Sequence, residues 1–122
     1  MYTYPFEKLD VWQLARKFRK DIYGLVNQFP REEQFGLTSQ IKRSASSIGD
    51  NIAEGSARLT AKDRAHFLVI AYSSAIETVN HLIGSWDLAY IKEEEYLTLR
   101  NKLEEITNKI NALHKAQFNR AV

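Results

Sequence analysis

The sequence predicts an all-α protein, an antiparallel up-down-up-down four-helix bundle. Its 122 residues include only five glycines and two prolines, and both prolines lie in the first quarter, so long stretches lack helix breakers. Apolar residues return every three or four positions in four separate segments. Because the connections between these segments are short, neighbouring helices should be antiparallel, which favours the up-down-up-down arrangement.

The four helices are expected within a single domain that covers residues 1–122. Pro30 ends the first helix, and Thr60 with Asp63 resembles a capping box at the start of the third. Residues past Ala116 are expected to fray. The predicted helices cover about residues 6–29, 37–56, 61–90 and 93–116.

Each predicted helix carries an apolar stripe that should face the core. The fourth stripe alternates spacings of three and four, as the seam of a bundle helix does. The stripe members are Leu9, Trp12, Ala15, Phe18, Ile22, Leu25, Val26 and Phe29 in the first helix; Leu37, Ile41, Ala45, Ile48 and Ile52 in the second; Leu68, Tyr72, Ala75, Val79, Leu82, Ile83 and Trp86 in the third; and Tyr96, Leu99, Leu103, Ile106, Ile110 and Leu113 in the fourth.

Composition narrows the class of protein. A hydrophobic share of 44% with 26% charged residues is ordinary for a globular domain. The absence of cysteine excludes disulfides, thiolate metal sites and thiol nucleophiles. No apolar run approaches the roughly 20 residues of a membrane span, and the first residues do not resemble a secretion signal. A cytoplasmic protein with no membrane partner is therefore expected.

No residue pattern in the sequence predicts an enzyme. A di-iron bundle needs glutamates on two helices and Glu-x-x-His on the other two, and that set is missing. Asp63 with His66 and Glu77 with His81 are same-face pairs, which leaves a carboxylate/His metalloenzyme as a minor alternative. Serine-nucleophile elbows and glycine-rich phosphate loops are absent. We therefore expect no catalytic residue, cofactor, metal or small-molecule substrate.

A polar stripe on the second helix lies beside its apolar stripe. It is either a solvated flank or a partly buried polar seam. Counting from the turn between the second and third helices places Arg43 opposite Glu77, so a contact between the two is predicted. Glu54 falls level with Arg64 and His66, which would give the seam opposite charges at both ends. The stripe consists of Gln40, Arg43, Ser44, Ser47, Asn51 and Glu54.

Small residues form another face of the second helix, namely Ala45, Ser46, Gly49 and Ala53. Glycine inside a helix costs about 1 kcal/mol relative to alanine, so Gly49 requires a packing reason. We expect a second helix to approach closely here, from the same subunit or from another.

Basic residues provide the candidate nucleic-acid surface. Arg16, Lys17, Arg19 and Lys20 cluster in the first helix, and the fourth helix adds Lys109 and Lys115. A solvated face is the ordinary interpretation of such a cluster, and the net charge of +2 is modest for a nucleic-acid binder. Because the fourth helix ends where the first begins, these cations are expected to share one side of the bundle.

Several motifs together resemble the four-helix-bundle family encoded in intervening sequences of bacterial 23S rRNA genes. The resemblance covers residues from about 6 to 115, and Gly49 stands where many relatives carry proline. The matching residues are the run from Ser47 to Gly55; Phe6, Leu9, Val11, Trp12 and Ala15; Phe29, Pro30 and Glu33; Leu37, Thr38, Gln40 and Arg43; and Phe67, Leu68, Ile70, Ala71, Ser73 and Glu77.

This resemblance implies a ring, typically a homopentamer, without enzymatic activity. Similar proteins that accompany diversity-generating retroelements form basic pentameric barrels that bind a reverse transcriptase and nucleic acid. The leading hypothesis is therefore a ring-forming helical protein that binds RNA or a ribonucleoprotein partner through its basic residues. The alternative is a structural or protein-binding scaffold without nucleic-acid affinity.

Overall fold

Four α-helices make up most of the protein. The computed structural model describes residues 1–121, and within that range it contains no strand. The predicted all-α class is confirmed. Three short 3₁₀ turns, at Pro5–Lys8, Val26–Gln28 and Arg31–Glu33, precede and join the first two helices. The α-helices are α1 (Asp10–Leu25), α2 (Leu37–Ser56), α3 (Ala61–Asp87) and α4 (Glu93–Ala121).

Each helix packs against its neighbours in the chain, and α1 also contacts α4. Between α2 and α3, Ser44 contacts Thr78 and Ser47 contacts Ser74, so residue numbers rise on one helix as they fall on the other. The two helices are therefore antiparallel, as the short connection predicts. The architecture is that of a helical bundle with its core between the four helices.

The core contains the apolar stripes that the sequence predicts for α1, α2 and α4. Phe18, Ile48 and Leu103 are almost completely buried, and Leu82 joins them from α3. Only a few stripe members at the ends, such as Leu113, are half-buried. The period of about 3.6 residues therefore locates the core-facing side of three helices correctly.

The predicted core stripe of α3 is wrong at Ile83 and Trp86, which are 37% and 39% exposed. The Trp86 ring stacks on Tyr96 of α4, with 4.5 Å between ring centroids, at the edge of the core. Small side chains occupy the true inward positions, including Ala71 and Thr78. Since α3 has apolar residues on several sides, its period does not distinguish the inner face from the outer one.

Helix α3 is also long and apolar enough to cross a membrane by length and composition alone. Its 27 residues include an 18-residue window with a mean hydropathy of 1.2, and 33% of that window is buried within this chain. One such helix is weak evidence for a span, because a core helix of a bundle meets the same criteria.

Four helix ends differ from the predicted ones, three of them in α1 and α4. Helix α1 begins at Asp10 instead of residue 6, because Leu9 is extended (φ −72°, ψ 124°) after the turn that starts at Pro5. The α-helix also ends at Leu25, and a 3₁₀ turn follows it. Helix α4 continues to Ala121 instead of ending at Ala116 as predicted. No helix breaker follows Ala116, and hydrogen bonding between α3 and α4 reaches these last turns.

Helix α3 ends at Asp87, before the predicted residue 90, because Ala89 adopts a left-handed conformation with φ 61°. The N–H of Tyr90 donates to the Ser85 carbonyl at 2.9 Å and closes the helix end. Glycine is the usual residue at such a position, since a Cβ is disfavoured there.

Replacing Ala89 with glycine should therefore raise the free energy of unfolding by about 1 kcal/mol, because it removes the steric cost of a Cβ at positive φ. Urea denaturation measures the change. Ala57→Gly is the matched control, since Ala57 closes α2 with an ordinary φ of −89°. There glycine should lower stability, and an equal effect of the two substitutions would contradict the explanation.

Candidate functional site: a basic face, a polar seam and an apolar stripe

The basic face of α1 consists of Arg16, Lys17, Arg19 and Lys20, and all four residues are at least partly exposed. Together with Gln13 and Tyr23 they line an open depression of about 650 Å³. Within residues 1–121, no carboxylate lies within ion-pair distance of any of these four cations. The face can therefore attract an anionic ligand without first breaking an internal ion pair.

The cations of α4 are arranged differently. Lys109 Nζ lies 2.8 Å from Asp10 Oδ2, and the hydrogen bond to Asp10 raises the pKa of Lys109 above its ordinary value. Lys102 forms a second ion pair with Asp21 of α1 at 2.8 Å. Lys115 is exposed near the end of the helix. Lys109 thus lies beside α1, where the sequence places it, but Asp10 already compensates its charge.

The polar stripe of α2 forms a seam with α3. The Arg43 guanidinium contacts Glu77, as predicted, and also donates to Gln40 Oε1 at 3.0 and 3.2 Å. His81 Nε2 lies 3.1 Å from the same Glu77 carboxylate, so the predicted acid/His pair is also a contact. Arg43 is half exposed, so this pair contributes at most about 1 kcal/mol.

Hydroxyl groups continue the seam towards the middle of the bundle. Thr78 donates to Ser44 at 2.8 Å, and both side chains are fully buried. The Ser47 and Ser74 hydroxyls lie 2.8 Å apart, and Asn51 donates to Ser47 Oγ at 2.9 Å. The seam is thus buried at its centre and exposed at Gln40, Arg43 and Glu54, so the two interpretations of this stripe each describe part of it.

The predicted second charged end of the seam does not form. Arg64 turns away from Glu54 and donates to Gln117 Oε1 of α4 and to the Arg58 carbonyl, each at 3.0 Å. These partners hold the guanidinium between the α2–α3 connection and the end of α4. Counting residues along two antiparallel helices predicts which residues lie at the same height along the bundle, but it does not predict the direction in which a long side chain extends.

The small face of α2 packs on α1 of the same subunit. A Cβ added at Gly49 would lie 3.7 Å from Ala15 Cβ and from the Trp12 indole nitrogen, which is ordinary contact distance. Packing within the subunit therefore leaves room for a methyl group at Gly49. The close approach instead occurs at Gly55, where an added Cβ would lie 2.7 Å from Phe67 Cβ of α3.

The outward side of α3 carries an apolar stripe, which we define as Val69, Ile76 and Ile83. These residues are 47%, 46% and 37% exposed and are spaced seven positions apart. A seven-residue apolar repeat lines up on one side of a helix, as in helices that pair with a partner helix. Ser73 and Asn80 lie between them on the same exposed side.

An aromatic ladder lies beside the basic face and was missed in the sequence. It consists of Tyr2, Tyr4, Phe6 and Trp12, with successive centroid separations of 5.0, 6.4 and 4.9 Å. The sequence signal was the alternation of aromatics at positions 2, 4 and 6 directly before the first helix, where Tyr4 is extended and Phe6 lies in the 3₁₀ turn. The Arg16 guanidinium carbon lies 5.6 Å from the centroid of the Trp12 ring, which joins the ladder to the basic face.

Metal ligands do not come together in the described part of the chain. Within residues 1–121, no three His, Asp or Glu side chains gather closely enough to hold a metal ion. The Glu77–His81 pair is shared with Arg43, whose guanidinium already compensates the carboxylate. The chemistry that these surfaces offer is that of surface charge, stacking rings and helix packing.

The fold defines an all-α helical bundle. The sequence pattern of the 23S rRNA-intervening sequence protein family matches residues 7–112, and the chain belongs to this family. A crystal structure of a protein of unknown function from the S23 ribosomal protein family of Bacteroides thetaiotaomicron VPI-5482 is similar. It has 29% sequence identity and a TM-score of 0.80, and the alignment covers 86% of this chain and 98% of that one. A search of curated proteins finds no match.

Proposed function

We propose that this protein is a non-enzymatic helical bundle that assembles into a homopentameric ring and binds RNA through its basic face. The observation that carries the RNA half is the cluster of four α1 cations without carboxylate partners in the described chain. Phosphate oxygens are the natural ligands of such a cluster, because arginine and lysine supply charge and several N–H donors.

The apolar stripe of α3 supports the assembly half of the proposal. Water contacts Val69, Ile76 and Ile83 in the single subunit, and a neighbouring subunit that covered them would remove apolar surface from water. The number five comes from the resemblance to ring-forming relatives. Five copies multiply the +2 of each chain to about +10 and repeat each basic face around the ring, which favours a long polyanion over a short one.

A scaffold without nucleic-acid affinity is the second candidate. The Lys109–Asp10 and Lys102–Asp21 pairs favour it, because they neutralise cations of α4 that would otherwise enlarge the basic face. The two candidates differ in salt dependence, since phosphate contacts weaken steeply as salt rises.

The decisive experiment combines native mass with a titration of total cellular RNA at several salt concentrations. Reversing two charges, Lys17→Glu with Lys20→Glu, should weaken RNA binding by at least tenfold. The slope of log affinity against log salt should become less steep by about 0.7 for each phosphate that the variant no longer binds. The matched control is Lys62→Glu with Lys92→Glu, which changes the net charge equally at exposed positions outside α1. Equal weakening in both variants, or binding that ignores salt, would contradict the proposal. Stoichiometric metal in the purified protein would favour a metalloenzyme instead.

A further inference from the structure

The aromatic ladder is held in place although its first two rings are exposed. Tyr2 and Tyr4 are 71% and 60% exposed, whereas Phe6 and Trp12 are half-buried. The Tyr4 N–H donates to Glu7 Oε2 at 2.7 Å, and the Gln13 side chain donates to the Glu7 carbonyl at 2.8 Å. These bonds fix Tyr4 and the turn that follows it to α1, and the Tyr2 ring contacts the Tyr4 ring edge to face with 5.0 Å between centroids.

The faces of the two tyrosine rings are apolar surface that stays in contact with water in the single chain. Flat apolar faces that are fixed before binding lose little conformational entropy when a planar ligand stacks on them. Nucleobases are such ligands, and base–aromatic stacking tolerates any base because each has a π face.

The cations lie where the phosphates of a stacked strand would need them. Arg16 and Arg19 line a groove of about 200 Å³ together with Phe6 and Trp12, and both also line the larger depression that includes Lys20. One continuous surface thus leads from rings to cations. Asp50 lines the small groove on its α2 side, whereas no carboxylate lines the large depression among the described residues. The sugar–phosphate backbone of the stacked strand is therefore expected over the large depression.

We propose that the ladder stacks unpaired bases of single-stranded RNA while Arg16, Arg19 and Lys20 contact its phosphates. This inference rests on the proposed RNA binding and adds its substrate class. Bases inside a duplex already stack on each other and do not offer their faces to a protein, so the same surface binds a duplex by charge alone. The protein consequently prefers a single strand to a duplex of the same sequence.

The test uses the full chain and fluorescence anisotropy with three labelled RNAs: a single strand of mixed sequence, its duplex, and a single strand of the same length without bases. The variant is Tyr2→Ala with Tyr4→Ala, which lies outside the α-helices. The control is Phe35→Ala with Phe118→Ala, which also removes two exposed rings but at positions outside the ladder. Circular dichroism verifies that each variant stays folded.

The tyrosine variant should bind the base-containing single strand at least fivefold more weakly, which corresponds to the loss of about 1 kcal/mol of stacking. Its salt slope should stay unchanged, because every phosphate-binding cation is still present. The wild type should prefer the base-containing strand to the strand without bases, and the variant should lose this preference.

The other outcomes overturn specific statements. If the wild type binds all three RNAs equally with a steep salt slope, or if both aromatic variants weaken binding alike, the stacking proposal is wrong while RNA binding by charge stands. If the wild type binds none of them, both proposals fail. A further outcome also rejects the stacking proposal and leaves RNA binding by charge standing. In it, the Lys17→Glu, Lys20→Glu variant lowers the slope of log affinity against log salt, while the tyrosine variant binds with unchanged affinity.

Discussion

Ile76→Glu is expected to dissociate the proposed homopentamer while leaving the single bundle folded. Ile76 is the middle residue of the apolar stripe and is 46% exposed in the subunit, so glutamate there meets water and leaves the core unchanged. In an assembled ring the same side chain would be buried by a neighbour. Full burial of an isoleucine is worth about 1.5–3 kcal/mol, so covering the exposed half of Ile76 is worth about 1 kcal/mol, and the substitution replaces that gain with the cost of desolvating a charge.

The measurement is native mass by light scattering after gel filtration. The wild type should run at about five times the 14.1 kDa of the chain, and the variant at the mass of one chain with unchanged helical circular dichroism. Leu59→Glu is the control, because Leu59 is an exposed apolar residue in the α2–α3 connection. A variant that keeps the wild-type mass would show that the stripe is not covered by another copy.

Gly55→Ala and Gly49→Ala are expected to change stability in opposite directions, although both glycines lie in α2. An alanine Cβ at Gly55 would lie 2.7 Å from Phe67 Cβ, which is fixed to the backbone of α3 and is not the mobile end of a side chain. The two helices must move apart, and overpacking of this kind costs about 1–3 kcal/mol.

At Gly49 the added methyl group meets Ala15 and Trp12 at ordinary contact distances. Alanine should therefore raise the free energy of unfolding by up to about 1 kcal/mol, since glycine is the poorer helix former. Urea denaturation of both variants gives the comparison. A destabilising Gly49→Ala that also lowers native mass would place Gly49 against another subunit as well as against α1.

The sequence predicts most of the bundle because its information is periodic. Apolar spacing locates α2 at its true bounds and identifies the inward sides of α1, α2 and α4. The same reasoning is correct for most of the α3 stripe but fails at Ile83 and Trp86, which are apolar and partly exposed. A residue that covers the core and a residue that covers a partner satisfy the same spacing, so the pattern cannot separate them.

The candidate site is less predictable because it depends on side-chain direction. The Arg43–Glu77 contact follows from helix register, whereas Arg64 reaches α4 because its long side chain can turn away from Glu54. Ser74 and Thr78 escaped notice because isolated hydroxyls on an apolar helix carry no sequence signal. The aromatic ladder arises only once the turn at Pro5–Lys8 brings the N-terminal rings beside α1.

The buried hydroxyl contacts of α2 and α3 have a consequence for the outer surface of the molecule. Thr78 and Ser74 join the inner side of α3 to Ser44 and Ser47 of α2, so a rotation of α3 about its axis or a slide by one turn would break both contacts. The direction in which Ile76 points outward is thereby fixed relative to the other helices. In the ring that we propose, the angle between neighbouring copies would determine how many copies complete the circle, so a few internal serine and threonine contacts would help to set the subunit number.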